Sequence, residues 1–363
     1  MRLRHSAILF VIAFLACCAS PPPAASPPAA PTHTARFDFT SNGNRLSGLF
    51  DTPASEEVRG LIVIIHGYGE TDVTGRTSYL DLRRRFNALG VSTLIWDKPG
   101  NGQSEGMFDP DQPVASSAQE VLDAIAAARA RNMPGSHRVG LWGISRAGWI
   151  APLAIQQDPE IAFWISVSGT DEKENFPYLL ASNLRIEGRN EAQIARLVEE
   201  WRRGFEIMRS GGSFSDYMAA TENLRGDPFM RYLNGGREDS EADFRAYQQQ
   251  FLSGAFEVDE ASGLMIYVPG FAQTLARVDI PVLAIFGERD RNVDWRASAD
   301  LYRRTIGANP RAALTIRTFP DANHNIHRAE TGGLRELIEM PERVPADGYF
   351  ETMETWLERE ALN

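Results

Sequence analysis

Cysteine is almost absent from this chain of 363 residues. Its two cysteines, Cys17 and Cys18, are adjacent and close to the N-terminus. The folded body therefore contains no thiol, which excludes disulfides and any cysteine-based metal site there. An excess of positive charge is also missing. Lys and Arg number 37 against 48 Asp and Glu, a formal net charge of −11. Such a balance argues against nucleic acid as a partner and against an electrostatic hold on anionic membranes. The apolar run from Ala7 to Ala16 is too short to cross a bilayer as a helix. No internal repeat is present. What remains is an ordinary globular composition, 43% hydrophobic and 23% charged, with length for one large domain carrying an insertion or for two domains.

The N-terminus reads as a targeting segment over residues 1–19. Arg2, Arg4 and His5 precede the apolar run, and small residues follow it, as in a secretory signal. Leu15-Ala16-Cys17-Cys18 also resembles a bacterial lipobox, which predicts a lipid on Cys18, with Cys17 as the alternative. Soluble export with cleavage after Ala19 or Ala25 is the competing expectation. Residues 20–34 are rich in Pro and Ala and read as a tether. The expected location is the periplasm or a lipid-anchored membrane surface of a bacterium.

Beyond the tether, Arg36–Thr40 and Arg45–Phe50 flank the turn Ser41-Asn42-Gly43-Asn44 and predict an antiparallel hairpin at a sheet edge. The continuous apolar run Leu61–Ile65 predicts a central strand buried on both faces. A helix from Ser78 to Leu89 and a strand over Val91–Trp96 follow. Ser117-Ala118-Gln119-Glu120 has the spacing of a capping box that opens an Ala-rich helix to Arg131. Strands over His137–Trp142, Phe163–Ser168, Pro281–Gly287 and Leu314–Phe319 complete an alternation of strand and helix. The helices of the C-terminal part are expected over Trp295–Arg304 and about Tyr349–Arg359. This pattern predicts an α/β fold with a doubly wound, mostly parallel sheet. It divides the chain into a core over 35–170, a mainly helical insertion over 171–276 and the rest of the core over 277–363. The insertion contains a long amphipathic helix over Asn190–Ser210 and many aromatics, Trp201 and Phe205 among them, most of which its own small core needs.

Chemistry in such sheets gathers at the carboxyl ends of the strands. Four of these ends carry unusual residues: His66-Gly67-Tyr68-Gly69, Ser145, Asp290 and His324. Ser145 lies between a strand and a helix in Gly143-Ile144-Ser145-Arg146-Ala147. So sharp a turn requires small residues two before and two after the serine, and it lifts the hydroxyl clear of the sheet. It also points the Arg146 backbone N–H and the helix N-terminus at a reacting carbonyl. Serine needs a base to take its proton, and the base needs an acid to orient it. His5 and His33 fall in the N-terminal segments, His66 belongs to the first loop, and His137 precedes its strand. His324 and His327 remain as candidate bases, and His324 follows the last strand by a short loop. Asp290, just past a strand end, is the favoured acid, with Glu288, Asp294 and Asp171 as alternatives. The Arg146 side chain either covers the start of its helix or meets an anionic substrate.

Four motifs in this order, H-G-Y-G, D-K-P-G-N-G-Q-S, G-I-S-R-A and G-E-R-D…A-N-H, resemble the α/β-hydrolase superfamily over nearly all of Arg36–Asn363 except the insertion. More narrowly the elbow is similar to bacterial acyl-ester hydrolases and to the dienelactone-hydrolase and prolyl-peptidase branches. Ala147 stands where the family has a glycine. The resemblance implies Ser145 as nucleophile, Asp290 as acid, His324 as base, and an oxyanion hole from the backbone N–H groups of Tyr68 and Arg146. It implies that the insertion is a lid, and that Asp97–Ser104 is a structural turn, since no G-K-[ST] follows. The expected reaction is hydrolysis of a small-molecule acyl ester, with a prolyl-type peptidase or a non-catalytic binding lipoprotein as alternatives. No cofactor, metal or nucleic acid is called for, and a membrane only through the N-terminal lipid.

Overall fold

The computed structural model describes residues 33–75, 79–173, 176–253, 257–259 and 262–362. The signal segment with Cys17 and Cys18, the tether as far as residue 32, Ser78 and Phe256 lie outside the described residues. The chain forms two compact units. One is Glu172–Pro269, and the other holds the described residues up to Asp171 together with those from Gly270 onward.

The larger unit opens with β1 (His33–Ser41) and β2 (Asn44–Thr52), so two residues of the expected tether belong to a strand. Asn42 and Gly43 both have positive φ, 49° and 78°, as a tight two-residue hairpin requires. There follow β3 (Gly60–Ile65), α1 (Leu80–Ala88), β4 (Val91–Trp96), α2 (Val114–Ala130), β5 (Val139–Ile144), α3 (Ala147–Gln157) and β6 (Ile161–Val167). Every residue of β3, β4 and β5 is buried, which is why these strands are continuous apolar runs rather than alternating ones.

The smaller unit contains α4 (Phe176–Ile186), α5 (Glu191–Arg209), α6 (Phe214–Ala220), α7 (Glu222–Gly226), α8 (Pro228–Leu233), α9 (Glu241–Leu252) and the short antiparallel pair β7 (Glu257–Val258) and β8 (Met265–Ile266). Asn190 and Gln193 cap α5 reciprocally, each side chain accepting from the other's backbone N–H at 2.9 Å. Its aromatics pack on one another. Trp201 stacks on Phe205 at 5.6 Å and meets Phe176 at 5.2 Å, and Phe205 meets Phe251 edge-on at 5.2 Å. Trp201→Ala should therefore destabilise this unit by about 3–5 kcal/mol. A lowered melting temperature for that unit, read by differential scanning calorimetry, is the check.

The chain returns through α10 (Phe271–Ala276), β9 (Pro281–Gly287), α11 (Trp295–Arg304), β10 (Ala313–Phe319), α12 (Leu334–Glu339) and α13 (Tyr349–Trp356). The second boundary falls at Pro269 rather than Ala276. The reason is that α10 buries Phe271 and Leu275 in the larger unit, and its Thr274 carbonyl accepts from Gln156 Nε2 at 3.1 Å. The eight-stranded sheet has the order β1-β2-β4-β3-β5-β6-β9-β10, with β2 antiparallel to both its neighbours, β1 and β4, and every other pair parallel. This is the α/β-hydrolase fold that the four motifs imply.

One local expectation fails for an identifiable reason. Ser117 and Glu120 do not cap α2, which begins at Val114 behind Pro113. Their side chains serve a buried polar cluster instead: Ser117 Oγ accepts from Arg146 at 3.0 Å, and Glu120 accepts from Trp96 Nε1 at 3.2 Å and Gln112 Nε2 at 2.5 Å. His327 is bridged to Pro345, with its N–H donated to Asn323 Oδ1 at 3.1 Å.

Candidate active site

The elbow follows from steric limits. A Cβ on Gly143 would lie 2.6 Å from that of Ala147, a collision no real pair of side chains tolerates. Ser145 itself has φ 57°, in the left-handed region that L-residues rarely adopt. Two backbone hydrogen bonds hold it there, Ser145 N–H to Val167 O at 2.8 Å and Gly148 N–H to Ser145 O at 2.7 Å. The eleven-residue α3 begins two residues later, so the positive end of its dipole faces the turn.

The next strand end ties the histidine to this turn. Val167 receives the Ser145 N–H, and Ser168, the following residue, donates its hydroxyl to the backbone carbonyl of His324 at 2.7 Å. Ser168 also has positive φ, 47°, and its N–H donates to Ile285 O at 2.8 Å. Two consecutive residues at the end of β6 therefore hold the elbow on one side and the histidine loop on the other. Sequence reasoning missed Ser168. Its only signal was a serine directly after an apolar strand, which has many bland explanations.

His324 Nδ1 and Asp290 Oδ2 are 2.7 Å apart, with Asp290 fully buried and His324 6% exposed. The other carboxylate oxygen accepts the N–H groups of Asn292 and Val293 at 2.8 and 2.9 Å. Both oxygens of a carboxylate shut off from water are thus satisfied, as its burial requires. The other acids considered serve elsewhere. Glu288 accepts from Thr318 Oγ1 at 2.8 Å. Asp294 caps α11. Asp171 offers its backbone carbonyl to Trp149 Nε1 at 2.7 Å.

The Gly67–Gly69 loop packs directly on the elbow: a Cβ on Gly67 would lie 3.4 Å from that of Ser145 and 3.3 Å from Ile144 O. His66 is buried and held by the backbone. Its Nε2 donates to Trp96 O at 2.6 Å, and burial, helped by the Lys98 charge, pushes its imidazole down to about 3. The Arg146 guanidinium, in a residue 7% exposed, donates to Ser117 Oγ at 3.0 Å and to the Gln112 carbonyl, so it secures α2 to the start of α3.

Asp97 gives the D-K-P-G-N-G-Q-S turn a structural role. Its buried carboxylate accepts from Val73 N–H at 2.5 Å, Thr74 N–H at 3.1 Å, Thr74 Oγ1 at 2.5 Å and Gln103 N–H at 2.9 Å. A Cβ on Gly102 would lie 2.2 Å from that carboxylate, so glycine is obligatory. Among the described residues no cluster of three or more His, Cys, Asp and Glu could hold a metal ion.

Comparison with known proteins matches residues 56–331 to a family described as serine aminopeptidase, S33. Among solved structures, an esterase of Pyrococcus furiosus superposes with a TM-score of 0.52 at 14% identity, covering 91% of this chain and 93% of that one. The protein DcsB, in complex with its substrate analogue, gives 0.53 at 13% identity, covering 92% of this chain and 100% of that one. These likenesses concern the fold. A thiohydrolase of Arthrinium phaeospermum is 26% identical over 98 residues, 27% of this chain and 32% of that protein. A thiohydrolase of Aspergillus aculeatus is 29% identical over 104 residues, 28% and 33% of the two chains. The chain thus spans about a third of the length of these curated relatives. With some three quarters of its length inside the family match, on the α/β-hydrolase fold described above, the chain belongs to the serine aminopeptidase, S33 family.

Proposed function

We propose that the protein hydrolyses carboxylic esters through an acyl-enzyme on Ser145. The observation that carries this reading is the buried Asp290–His324 pair at 2.7 Å, tied by Ser168 to the strand end that also holds the elbow. With Nδ1 held by Asp290, Nε2 takes the Ser145 proton. The Ser145 oxygen attacks the ester carbonyl, and the N–H groups of Arg146 and Tyr68 receive the negative charge that develops. His324 then passes its proton to the leaving alcohol. Water repeats the sequence on the acyl-enzyme, with His324 again as base, and releases the acid. Asp290 holds the imidazole in one tautomer and stabilises its cation throughout.

The family's description, serine aminopeptidase, favours the second reading, a serine peptidase of the prolyl type. The chemistry at Ser145 is the same, but such a substrate needs an acidic group to receive its amine. Parallel assays of p-nitrophenyl acyl esters, acyl thioesters and aminoacyl-nitroanilides distinguish the readings. The ester reading expects kcat/KM for the best ester to exceed that for any aminoacyl-nitroanilide by more than the intrinsic reactivity difference measured in water. Preference for a nitroanilide with a free α-amine assigns the protein to the peptidases. Turnover of none of the three leaves the binding-lipoprotein alternative.

Two further parts of this reading rest on the sequence. The insertion leaves the chain just beyond β6, next to the strand of the elbow, and on that ground we assign it the choice of acyl group, as a lid. The basic, apolar and small-residue order of residues 1–19, with Cys17-Cys18 and the Pro/Ala stretch behind it, supports export with a lipid on Cys18.

A further inference from the structure

Lysine is used twice in this chain, at Lys98 and Lys173, although Lys and Arg together number 37. Lys173 pairs with Asp259 at 2.7 Å in the smaller unit. Lys98 has no such simple use. It leaves the end of β4 inside the Gly-rich turn, and its Nζ donates to two backbone carbonyls, Gly67 O at 2.6 Å and Gly69 O at 2.7 Å. Those carbonyls flank Tyr68.

We propose that Lys98 is a positioning residue for the oxyanion hole, clamping the loop on both sides of Tyr68 so that the Tyr68 N–H keeps its aim at the carbonyl attacked by Ser145. The proposal rests on the reading of Ser145 as nucleophile. Its basis is peptide geometry. The Gly67 carbonyl and the Tyr68 N–H belong to one planar trans peptide unit, in which C=O and N–H point in opposite directions. Fixing the oxygen on Nζ therefore fixes the hydrogen on the other side. A positive charge on the oxygen also polarises the unit and strengthens its N–H as a donor. The second contact, at Gly69, anchors the loop where it turns: Gly69 has φ 91°, a conformation open mainly to glycine. Two glycines around the donor would otherwise leave its direction loose.

The surroundings make the ammonium costly to bury. Lys98 lines a small cavity with Ile65, His66, Trp96, Glu120 and Arg146. Burial, and then the Arg146 charge, lower its affinity for a proton to about 7, against an opposing pull from Glu120. An apolar side chain of similar length would fill this space without that penalty, but would leave the two carbonyls without their donor.

The test uses the full chain with Lys98→Met and Lys98→Arg, measuring kcat and KM on one p-nitrophenyl ester, inhibition by an alkyl boronic acid, and melting temperature. Boronic acids form a tetrahedral adduct with an active-site serine, and so report on the hole rather than on ground-state binding. Loss of a whole oxyanion donor costs about 10²–10³-fold in kcat, so loosening one should cost Lys98→Met about 10–100-fold. KM should stay within about threefold and boronate inhibition should weaken in step with kcat, since only groups that act in the transition state separate the parameters this way, while the melting temperature should fall modestly as the Gly67 and Gly69 carbonyls lose their donor, leaving the protein folded at the assay temperature. Lys98→Arg, which can still donate to both carbonyls, should recover most of the loss. Lys98→Gln replaces the methionine variant if that protein does not fold. Unchanged kcat and boronate inhibition in Lys98→Met overturn the proposal. So does a loss that follows a lower melting temperature and is not recovered by arginine, which makes Lys98 a structural residue only. If the wild-type protein neither hydrolyses esters nor reacts with a fluorophosphonate, the Ser145 reading fails first and the proposal falls with it.

Discussion

Ser145→Ala is expected to lower turnover of an activated ester by about 10⁴-fold or more, because removing one member of a nucleophile–base–acid unit removes the function of all three. The fold should survive. The strained φ of 57° is imposed by the backbone bonds to Val167 O and from Gly148 N–H, neither of which involves the hydroxyl. Alanine is as small as serine, so the contact between Gly143 and Ala147 that defines the turn is unchanged. Any loss of stability should stay near the ~1 kcal/mol that distinguishes residue types in the left-handed region. The measurement is steady-state hydrolysis beside far-UV circular dichroism and a thermal melt of the same sample. Near-wild-type turnover by a pure, folded Ser145→Ala protein would end the serine-hydrolase mechanism at this site.

His324→Ala should be about as damaging to kcat as Ser145→Ala, on the order of 10⁴-fold, since the serine loses its base. A side effect is expected here and not at Ser145. Asp290 is fully buried, and one of its oxygens would lose its partner, at a cost of about 1–3 kcal/mol. His324→Ala should therefore melt lower than Ser145→Ala while being equally inactive. His327→Ala is the control. Burial, and then the charge of Arg343, push the His327 imidazole down to about 4, which makes it a weak base at neutral pH. Its removal should cost less than about tenfold in kcat, because alanine keeps the backbone N–H donated to Asn323 Oδ1 and no proton passes through this imidazole. Full loss of activity in His327→Ala with His324→Ala still active would exchange the roles of the two histidines.

The sequence was most legible where physics leaves few options. The elbow demands small residues at two fixed distances from the serine, and Gly143 and Ala147 are the visible trace of that demand. The central strands were equally plain, because a strand buried on both faces must be apolar throughout, as β3 and β5 are. Asp290 and His324 could be placed at strand ends because parallel sheets gather functional loops there.

Legibility failed where a side chain had several uses of similar energy. Ser117 and Glu120 have capping-box spacing, but a buried Trp96 indole and the Arg146 guanidinium also needed acceptors, and those partners are remote in sequence. Arg146 could not be assigned from its position after the nucleophile, because what its guanidinium meets depends on where α2 lies. Lys98 in a Gly-rich turn looks like a solvated loop residue, and nothing local shows that two carbonyls some thirty residues earlier will close on its ammonium. The β7–β8 pair, two residues per strand, is too short to carry a period. The end of the insertion was set too late because α10 reads as helical whichever unit it joins.

The most direct test of the central claim is where covalent label lands. The purified protein is treated with a fluorophosphonate, its intact mass is recorded, and the modified peptide is sequenced by tandem mass spectrometry. The account predicts one adduct per chain, on Ser145, absent from Ser145→Ala and forming far more slowly in His324→Ala, with loss of ester hydrolysis in proportion to labelling. An adduct on a different serine, or a protein that hydrolyses esters at full rate while Ser145 stays unmodified, would contradict it.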